Sequence, residues 1–237
     1  MEKFAITLPP ELSIAMKTEL LSDSAFQTEA GHFIFGDQPM EPAPTQDSLV
    51  SFDDEALIIV DSQDRILGHG TKAELHQGVG TLHRAFSIFL FNDRGEVLLQ
   101  QRSRHKRLWP LFWSNTCCSH PRQGESYGVA TRRRLNEELG MASDLIFTHR
   151  FRYQAQFDKW GAEHELCSVY VGRAHGDPAV NPLEIADWQW ITPEALDAWI
   201  EETPETLTPW LKIEWQALRS GDHSPTLSQI GLDGVLG

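Results

Sequence analysis

A thiol and an imidazole lie two residues apart in this sequence, at Cys118 and His120, in a stretch that is closed by Pro121 and Gly124. The proline and the glycine predict a shaped loop rather than a helix or a strand. A thiol this close to an imidazole could serve as a nucleophile with its base. The alternative is a structural role, because Cys is among the residue types most often buried in protein cores.

Three histidines and two glutamates have the spacing of a metal site: His76, His83, His120, Glu163 and Glu165. The first two flank a loop that contains glycines, which can fold both imidazoles toward one point. The two glutamates alternate at the start of a predicted strand, where side chains two residues apart point to the same face. This donor set suits an octahedral divalent ion such as Mn²⁺, Zn²⁺ or Mg²⁺. Solvated surface histidines are the alternative, because the ten histidines of the chain produce accidental pairs.

Four basic residues form a possible anion site: Lys72, Arg102, Lys106 and Arg134. The whole chain has a formal charge of −14, which argues against nucleic acid as a partner because phosphate contacts need a basic face. A local cluster of Lys and Arg can override the net charge, and it favours a small phosphate or diphosphate substrate. A solvated surface turn is the alternative for the basic run that ends at Arg107.

Length and composition fit one globular domain with extensions, since the 237 residues are 41% hydrophobic and 23% charged. Three cysteines cannot form a disulfide framework, and the odd number fits a reducing compartment. The sequence has neither a signal-peptide pattern nor an apolar run long enough to span a bilayer. These features predict a soluble, cytoplasmic protein without a membrane partner. They leave the oligomeric state, monomer or homodimer, open.

The chain divides into three predicted parts, which are an N-terminal extension over residues 1–51, a main domain over 52–221 and an irregular tail over 222–237. The extension has some helical periodicity over Glu11–Leu21 and a candidate strand over His32–Gly36. A proline-rich linker follows. Nothing in the sequence assigns a role to this extension.

Hydrophobic patterns in the main domain predict seven strands: Ala56–Val60, Arg65–Gly68, Ala85–Phe91, Glu96–Arg102, Phe147–Phe157, Glu165–Val171 and Trp188–Ile191. The turn Asn92–Gly95 predicts a hairpin between the third and the fourth. Predicted helices are Ala130–Leu139, a segment capped by Thr192 that runs to Glu202, and Pro209–Arg219, with a short helical or irregular piece over Lys72–Gln77. This order predicts an α+β or α/β sandwich with a mixed sheet flanked by helices.

The helix after the Cys118 loop resembles the Nudix box, Gly-x5-Glu-x7-Arg-Glu-U-x-Glu-Glu-x-Gly-U, where U is aliphatic. The residues in register are Glu125, Arg133, Glu137, Glu138 and Gly140. Two positions depart from the box, because Ser119 replaces its leading glycine and Arg134 replaces its first helical glutamate. The second change removes a ligand from the metal cluster on which pyrophosphate hydrolysis depends. The resemblance therefore implies a Nudix-like fold and argues against ordinary Nudix hydrolysis.

A longer series of motifs resembles the type I isopentenyl-diphosphate isomerases, a Nudix-related family. The matching elements, in chain order, are His76-x6-His83, Arg102-x3-Lys106-x2-Trp109-Pro110, Asn115-Thr116-Cys117-Cys118-Ser119-His120-Pro121, Arg132 to Gly140, Phe151-Arg152-Tyr153, Glu163-x-Glu165 and Pro209-Trp210. They extend from about Glu55 to Arg219. Their joint order is far more specific than any single motif.

The resemblance implies an enzyme of isoprenoid precursor biosynthesis that interconverts isopentenyl and dimethylallyl diphosphate. One group protonates the alkene and another removes a proton from the opposite face, through a tertiary carbocation. By position, Cys118 resembles the catalytic cysteine and Glu165 the opposing acid or base. Tyr153 resembles the tyrosine that hydrogen-bonds this glutamate, and Trp210 the indole that faces the cation. Cys117 matches no required role.

The same resemblance assigns the binding sets. The five histidines and glutamates named above match a metal site, and the four basic residues match a diphosphate clamp. Glu138, with the backbone carbonyl of Cys118, matches the site of a Mg²⁺ ion that bridges to the diphosphate. The implied cofactors are Mg²⁺ with the substrate, and Mn²⁺, Zn²⁺ or Mg²⁺ at the His/Glu site.

Two other functions stay open beside the isomerase. A Nudix-type hydrolase of nucleoside diphosphate compounds would share the fold, but Arg134 and the Cys118 loop argue against it. A non-enzymatic binding protein on the same scaffold would not need Cys118 or Glu165. In the isomerase interpretation, His120 faces a metal. Cys118 transfers a proton on one side of the substrate, and Glu165 lies on the opposite side.

Overall fold

The structure of the chain, a computed structural model, describes the backbone of residues 16–21 and residues 48–220, 223 and 227–236. Ten strands lie in this part of the chain: β1 (Met16–Leu21), β2 (Ala56–Val60), β3 (Ile66–Thr71), β4 (His83–Phe91), β5 (Val97–Arg102), β6 (Trp113–Ser114), β7 (Cys117–Ser119), β8 (Leu145–Phe157), β9 (Gly161–Arg173) and β10 (Ile185–Ile191). Four α-helices accompany them: α1 (Lys72–Leu75), α2 (Tyr127–Leu139), α3 (Pro193–Glu202) and α4 (Pro209–Ser220). The strands form one mixed sheet, which confirms the predicted fold class.

Strand β4 is the centre of this sheet. Along one edge it pairs in parallel with β9, and His83 lies opposite Glu165. Along the other edge it pairs in succession with β2, β7 and β5. The sheet continues outward through β8 and β1 beyond β9, and through β3 beyond β2. As a result, Cys118 on β7 and Glu165 on β9 lie on either side of the same central strand.

The alternation of side chains along β4 builds a core on both faces of the sheet. Phe86 and Leu90 belong to one buried cluster, which also contains Leu135 of α2. Phe89 points to the other face and packs against Trp215 of α4, with the ring centroids 6.1 Å apart. Burial of apolar area at roughly 25 cal/mol per Å² makes these two layers the main source of stability.

The ends of α2 and α3 follow the capping signals in the sequence. Helix α2 begins after Ser126, whose hydroxyl accepts a hydrogen bond from the backbone N–H of Val129. It ends at Gly140, whose φ of 61° is the left-handed conformation that glycine adopts at low cost. Helix α3 begins after Thr192, which accepts from Ala195. The predicted end of α2 at Gly140 and both predicted ends of α3 are confirmed, whereas α2 begins at Tyr127, before the predicted start at Ala130.

Two local predictions are wrong. The Cys118 stretch is not all loop, because Cys117–Ser119 pairs with β4 and forms β7. Met16–Leu21 is a strand rather than part of a helix, because its backbone pairs with β8. The predicted hairpin of β4 and β5 is confirmed at its turn, where Phe91 pairs antiparallel with Val97. Beyond this pair, β5 turns away to pair with β10 and β6. The candidate strand His32–Gly36 lies outside the described residues.

Both ends of the chain contact the main domain. Strand β1 extends the sheet beyond β8. In the tail, Leu227, Leu232 and Leu236 are buried in the core cluster that contains α4. The division into an extension, a main domain and a tail stays a prediction. None of the helices among the described residues is both long and apolar enough to span a bilayer.

Candidate active site

The five predicted metal ligands come together in one buried cluster. One donor atom from each residue lies within 4.8 Å of all the others: His76, His83, His120, Glu163 and Glu165. Four separate segments position them, which are the residue after α1, the first residue of β4, the residue after β7, and two positions on one face of β9. The parallel pairing of β4 with β9 sets His83 directly beside Glu165. Sequence spacing alone does not place His120 in this cluster. The pairing of the short strand β7 with β4 brings it there.

Within this cluster each glutamate contacts a histidine. The Nε2 atom of His76 lies 2.8 Å from Oε2 of Glu163. The Nε2 atom of His120 lies 2.8 Å from Oε1 of Glu165, and Nε2 of His83 lies 4.0 Å from that same oxygen. The three imidazole centroids are 4.8 to 5.3 Å apart. His120 therefore faces the cluster and not the Cys118 thiol.

Backbone carbonyls fix two of the imidazoles in a ligand orientation. The Nδ1 atoms of His76 and His83 each lie 2.7 Å from a carbonyl oxygen, of Lys72 and Thr81 respectively. Because a carbonyl only accepts, each Nδ1 donates, and in the neutral form of either ring Nε2 then has its lone pair toward the cluster. The Nε2 atom of His83 is buried and has no hydrogen-bond partner among the described residues. An orphaned buried acceptor surrounded by carboxylates fits a divalent metal ion.

Burial and mutual charge separate the protonation states of the cluster. Burial lowers the pKa of His83 to about 3, and burial together with His83 lowers the pKa of His120 well below its usual value, so both imidazoles are neutral. Burial opposes charge on Glu163, but the His76 charge outweighs it and lowers the pKa of Glu163 to about 2. Burial and the Glu163 charge raise the pKa of Glu165 well above its usual range. Neutral imidazoles are the form that binds metal.

Tyr153 holds Glu165, the glutamate to which the family resemblance gives an acid–base role. It lies on β8 directly opposite Glu165 on β9. Its hydroxyl donates a hydrogen bond of 2.7 Å to Oε2 of Glu165, while His120 contacts the other oxygen. Both side chains are buried and border the same cavity. The carboxyl group of Glu165 is thus oriented from two sides.

The Cys118 thiol is held as a proton donor. It donates a hydrogen bond of 2.7 Å to Oδ1 of Asn115 and accepts one of 3.1 Å from the indole N–H of Trp210. Burial, followed by the charge of Glu214, raises the pKa of Cys118 to about 12. A thiol with so high a pKa is a poor nucleophile. Cys117 points into the opposite, α2-side core cluster, in agreement with its lack of an assigned role.

Aromatic side chains line the apolar end of the site. The indole of Trp210 lies edge-to-face with Trp109, 5.2 Å between centroids, and 6.2 Å from the ring of Tyr153. Trp109 has a φ of 47°, an uncommon conformation for a bulky residue. Arg102 stabilises it by donating to the carbonyl oxygens of Leu108 (3.0 Å) and Trp109 (3.1 Å). The Arg102 guanidinium also lies 5.2 Å from the Trp210 ring centroid.

The four predicted basic residues border one cavity of about 390 Å³: Lys72, Arg102, Lys106 and Arg134. The same cavity is bordered by Cys118, Glu165 and Trp210. The structure thus brings the basic set, the metal set and the proton-transfer set into one space. Sites of this size accommodate a small organic molecule.

The helix that resembles the Nudix box contributes charge pairs around this cavity. Arg133 forms two bonds of 2.8 Å with Glu125 and one of 3.1 Å with Glu137, which ties the loop before α2 to the helix. Arg134 donates to Glu138 (3.0 Å from Nε) and to Glu137 (3.1 Å). Glu138 is buried, and its carboxylate is paired with Arg134, one of the four predicted clamp residues.

Sequence reasoning missed three polar residues of the site: Ser51, Asn115 and Glu184. Ser51 accepts a hydrogen bond from the amine of Lys72. Asn115 fixes the Cys118 thiol and also donates to two backbone carbonyls. Glu184 forms an ion pair with Lys106. Asn115 lies at the start of the Asn115–Pro121 motif, which is a signal for it, whereas Glu184 is one acid among 34 acidic residues and has no motif around it.

Comparison with known proteins agrees with the geometry. A model of the NUDIX domain matches residues 81–211. The Isopentenyl-diphosphate Delta-isomerase of Halorhodospira halophila is 44% identical over 146 residues, which are 61% of this chain and 83% of that protein. The Isopentenyl-diphosphate Delta-isomerase 2 of Photorhabdus laumondii is 40% identical over 176 residues, 70% of this chain and 99% of that protein.

A solved structure supports the fold independently. The crystal structure of a Deinococcus radiodurans protein superposes with a TM-score of 0.52 at 27% sequence identity. The superposition covers 63% of this chain and 90% of that one. The residues that the NUDIX model matches, 81–211, include β4 to β10 with α2 and α3.

Proposed function

We propose that this chain, which belongs to the NUDIX domain family and within it to the isopentenyl-diphosphate Delta-isomerases, interconverts isopentenyl diphosphate and dimethylallyl diphosphate. One observation carries the proposal: Cys118 and Glu165 border the same cavity as four cationic side chains. A small diphosphate ester needs both kinds of surroundings, because its anionic end binds cations and its alkene end reacts with proton donors and acceptors.

The reaction needs two proton transfers and leaves the atomic composition unchanged. An acid adds a proton to the terminal alkene carbon, and a base removes one from the carbon on the other side of the resulting cation. Cys118 and Glu165 are the groups proposed for these transfers. The pKa values of both groups are raised by burial, which suits groups that must hold a proton inside a dry site. Tyr153 stabilises the carboxylate form of Glu165 through its hydrogen bond.

A tertiary carbocation must be kept from water, which would convert it to an alcohol. Trp210 is only 3% exposed, and Trp109 behind it is fully buried. The π face of an indole attracts a cation by roughly 0.5–2 kcal/mol, most strongly when water is excluded. The aromatic end of the cavity therefore stabilises the proposed carbocation. The hydrogen bond from Trp210 to Cys118 holds the indole next to the thiol.

The diphosphate end supplies binding energy at a distance from the reacting carbons. Lys72, Lys106 and Arg134 are proposed to hold it, with Arg102 beside them. Charge-assisted hydrogen bonds to phosphate oxygens are roughly twice as strong as neutral ones. Binding there positions the alkene between Cys118 and Glu165, so that energy from a non-reacting group lowers the barrier of the proton transfers.

The metal assignments belong to this proposal. The His/Glu cluster would hold Mn²⁺, Zn²⁺ or Mg²⁺, and Glu138 with the backbone carbonyl of Cys118 would hold Mg²⁺ together with the diphosphate. A bound divalent ion supplies positive charge that orients carboxylates and neutralises phosphate oxygens. The cytoplasmic location inferred from the composition is likewise part of the proposal.

A diphosphate hydrolase is the second candidate, favoured only by the general NUDIX match. The environment of Arg134 argues against it. Its guanidinium contacts Glu137, Glu138 and Glu184, so a fixed organic cation lies among the carboxylates that a hydrolytic metal cluster would need.

Incubation with isopentenyl diphosphate distinguishes the two functions. The isomerase proposal predicts dimethylallyl diphosphate as the product without release of inorganic phosphate or pyrophosphate. Phosphate release without the isomer would sink the isomerase proposal and favour a hydrolase.

Two substitutions separate an enzyme from a binding protein on the same scaffold. We expect Cys118→Ala and Glu165→Gln each to lower turnover by roughly 100- to 10,000-fold, the range typical of lost acid–base groups. Circular dichroism spectra of both variants should match that of the parent. Turnover that survives in both variants would remove these residues from the mechanism.

A further inference from the structure

Glu184, which no motif identifies, is a buried carboxylate at the edge of the diphosphate clamp. It is 1% exposed and borders the cavity. Its Oε2 atom accepts from the amine of Lys106 and lies 3.3 Å from Nη2 of Arg134. One oxygen atom therefore contacts two of the four clamp cations. Two cations that share one carboxylate oxygen are held close to each other. A diphosphate group can then contact both at once.

Hydrogen bonds hold the segment around Glu184 in place. Asn181 begins the turn, and its backbone carbonyl accepts from the N–H groups of Glu184 (3.0 Å) and Ile185 (2.9 Å). The side-chain amide of Asn181 donates to the carbonyl of Ser48 at 2.8 Å, and its N–H donates to the carbonyl of Glu138 at 2.8 Å. The carbonyl of Glu184 itself accepts from the N–H of Ser103, 2.9 Å away. The carboxylate is thus fixed relative to α2 and to the end of β5.

The charges around Glu184 keep this residue ionised and pair it with Lys106. Burial opposes ionisation, but Lys106 and then Arg134 outweigh it and lower the pKa of Glu184 to about 2, so this carboxylate is charged at any working pH. Arg134 has two further carboxylate partners, Glu137 and Glu138. For Lys106, Glu184 is the ion-pair partner found among the described residues. The side chain of Lys106 is 18% exposed, so it can turn into solvent if that partner is lost.

We propose that Glu184 is a positioning residue, which holds the Lys106 amine beside Arg134 so that both cations meet the diphosphate of the substrate. The substrate in this inference is taken from the proposed function. The contacts of Glu184 do not depend on that function. Without the carboxylate, two like charges face each other in a buried site, and the more flexible one moves away. Glu184 acts through Lys106 and does not itself touch the reacting carbons.

The test is a double-mutant cycle of Glu184→Gln and Lys106→Met, read out by steady-state kinetics and by calorimetric binding of inorganic pyrophosphate. We expect Glu184→Gln to raise KM and the pyrophosphate Kd by roughly 10-fold or more, with kcat within about threefold. Because Glu184 acts through Lys106, the double variant should bind pyrophosphate no more weakly than Lys106→Met alone. Additive losses, or unchanged or tighter pyrophosphate binding in Glu184→Gln, would overturn the proposal.

Two further variants separate positioning from stability. Glu184→Asp keeps the charge but withdraws it by one methylene group, so it should raise KM with little change in melting temperature. Glu96→Gln removes a carboxylate from an ion pair with Arg94 that lies outside the cavity, so it should leave KM and pyrophosphate binding unchanged. An equal rise of KM in Glu96→Gln, or no rise in Glu184→Asp, counts against a positioning role.

Failure of the inference and failure of the proposed function give different results. If the parent protein isomerises the substrate and the Glu184 variants bind pyrophosphate normally, only the positioning role is wrong. If the parent binds pyrophosphate in a Glu184-dependent manner and forms no dimethylallyl diphosphate, the positioning role holds and the proposed reaction is wrong.

Discussion

Two glutamates on one face of β9 have opposite protonation tendencies although only one residue separates them. The pKa of Glu163 is lowered because the His76 charge outweighs burial, whereas burial and the neighbouring Glu163 charge raise the pKa of Glu165. Paired carboxylates whose surroundings push their pKa values apart are typical of sites in which one stays ionised and the other exchanges a proton. The local environment thus favours Glu165, and not Glu163, as the proton-transfer residue.

Replacing Tyr153 by Phe tests how Glu165 is controlled. The change removes the 2.7 Å hydrogen bond to Oε2 of Glu165 and leaves the buried ring in place. We expect kcat to fall roughly 10- to 100-fold, as is common when a residue that orients a functional carboxylate is lost, while KM stays nearly constant. Steady-state kinetics measure both. Tyr127→Phe, which removes a hydroxyl from a buried ring in the α2-side core, is the matched control and should leave kcat unchanged.

Glu214 of α4 is a buried acid that the proposed mechanism does not use. It lies one helical turn after Trp210, close to the side chain of Cys167 (3.6 Å). It is 0% exposed, and burial raises its pKa from 4.5 to about 8. In the unfolded chain this group ionises above pH 4.5, whereas in the folded chain it stays neutral up to about pH 8. Folding therefore becomes less favourable as the pH rises through that window.

Replacement of this acid by an uncharged isostere should consequently stabilise the protein at alkaline pH. We expect Glu214→Gln to unfold with a free energy higher than that of the parent by up to roughly 3–5 kcal/mol at pH 8, and with nearly the same value at pH 4.5. Urea unfolding at the two pH values measures this difference. Glu194→Gln, at an exposed position of α3, should show no such pH dependence. A constant difference between parent and Glu214→Gln at both pH values would contradict the burial argument.

At the scale of elements, a three-residue strand decides the chemistry of the Cys118 stretch. Pairing of β7 with β4 places Cys118 opposite Ser87 and sends its side chain to the α4 face, while Cys117 faces α2. The sequence around these residues contains Pro and Gly and predicts a loop. Strand pairing over so short a span is a tertiary effect, because nothing local favours it. The motif resemblance selected Cys118 over Cys117, and the pleat of β7 provides the physical reason.

The elements that were predicted well have strong local signals. Helix α2 ends at the predicted Gly140, and β8 and β9 have long β-rich patterns. The strand β1 was missed because its backbone conformation depends on the edge of β8, which lies more than 100 residues away. The partners of Glu184 and Glu214 were missed for the same reason, because burial and charge pairing depend on contacts that are distant along the chain.

The junction between α1 and β9 depends on a glycine. Gly161 has a φ of 140°, and a Cβ atom at this position would overlap the carbonyl oxygen of His76. That carbonyl accepts a hydrogen bond of 3.0 Å from the N–H of Ala162. The close approach of these backbones brings His76 to the face of β9 that contains Glu163. The His/Glu cluster therefore depends on a close backbone contact that leaves no room for a side chain at Gly161.

Gly161→Ala should damage stability and metal binding together. We expect a loss of roughly 2–5 kcal/mol in the free energy of unfolding, from backbone strain and overpacking combined, and a lower metal content after purification. Chemical denaturation and elemental analysis give the two quantities. Gly176→Ala is the matched control, because Gly176 has a φ of 90° but no atom within 4 Å of an added Cβ. Strain without overlap should lower its stability less and leave its metal content intact.

At the scale of the whole molecule, charge is distributed unevenly. Acidic residues outnumber basic ones by 34 to 20, yet four cations border one cavity of about 390 Å³. Several carboxylates, including Glu138 and Glu184, compensate these cations from buried positions. An acidic surface around a basic cavity disfavours large polyanions and still admits a small diphosphate. The net charge thus agrees with the substrate class because the cavity, and not the surface average, determines binding.

The His/Glu cluster joins four segments of the chain, so metal binding should contribute to the stability of the whole domain. A ligand that binds only the folded state stabilises it by about 2.7 kcal/mol at 100 times its Kd. We expect chelation to lower the melting temperature and to abolish isomerisation, and addition of Mn²⁺ or Zn²⁺ together with Mg²⁺ to restore both. The His83→Ala variant lacks the buried Nε2 acceptor of the parent protein. Its melting temperature should therefore respond much less to chelator or metal. Full activity and an unchanged melting temperature in metal-free parent protein would show that the five residues are a hydrogen-bonded core cluster and not a metal site.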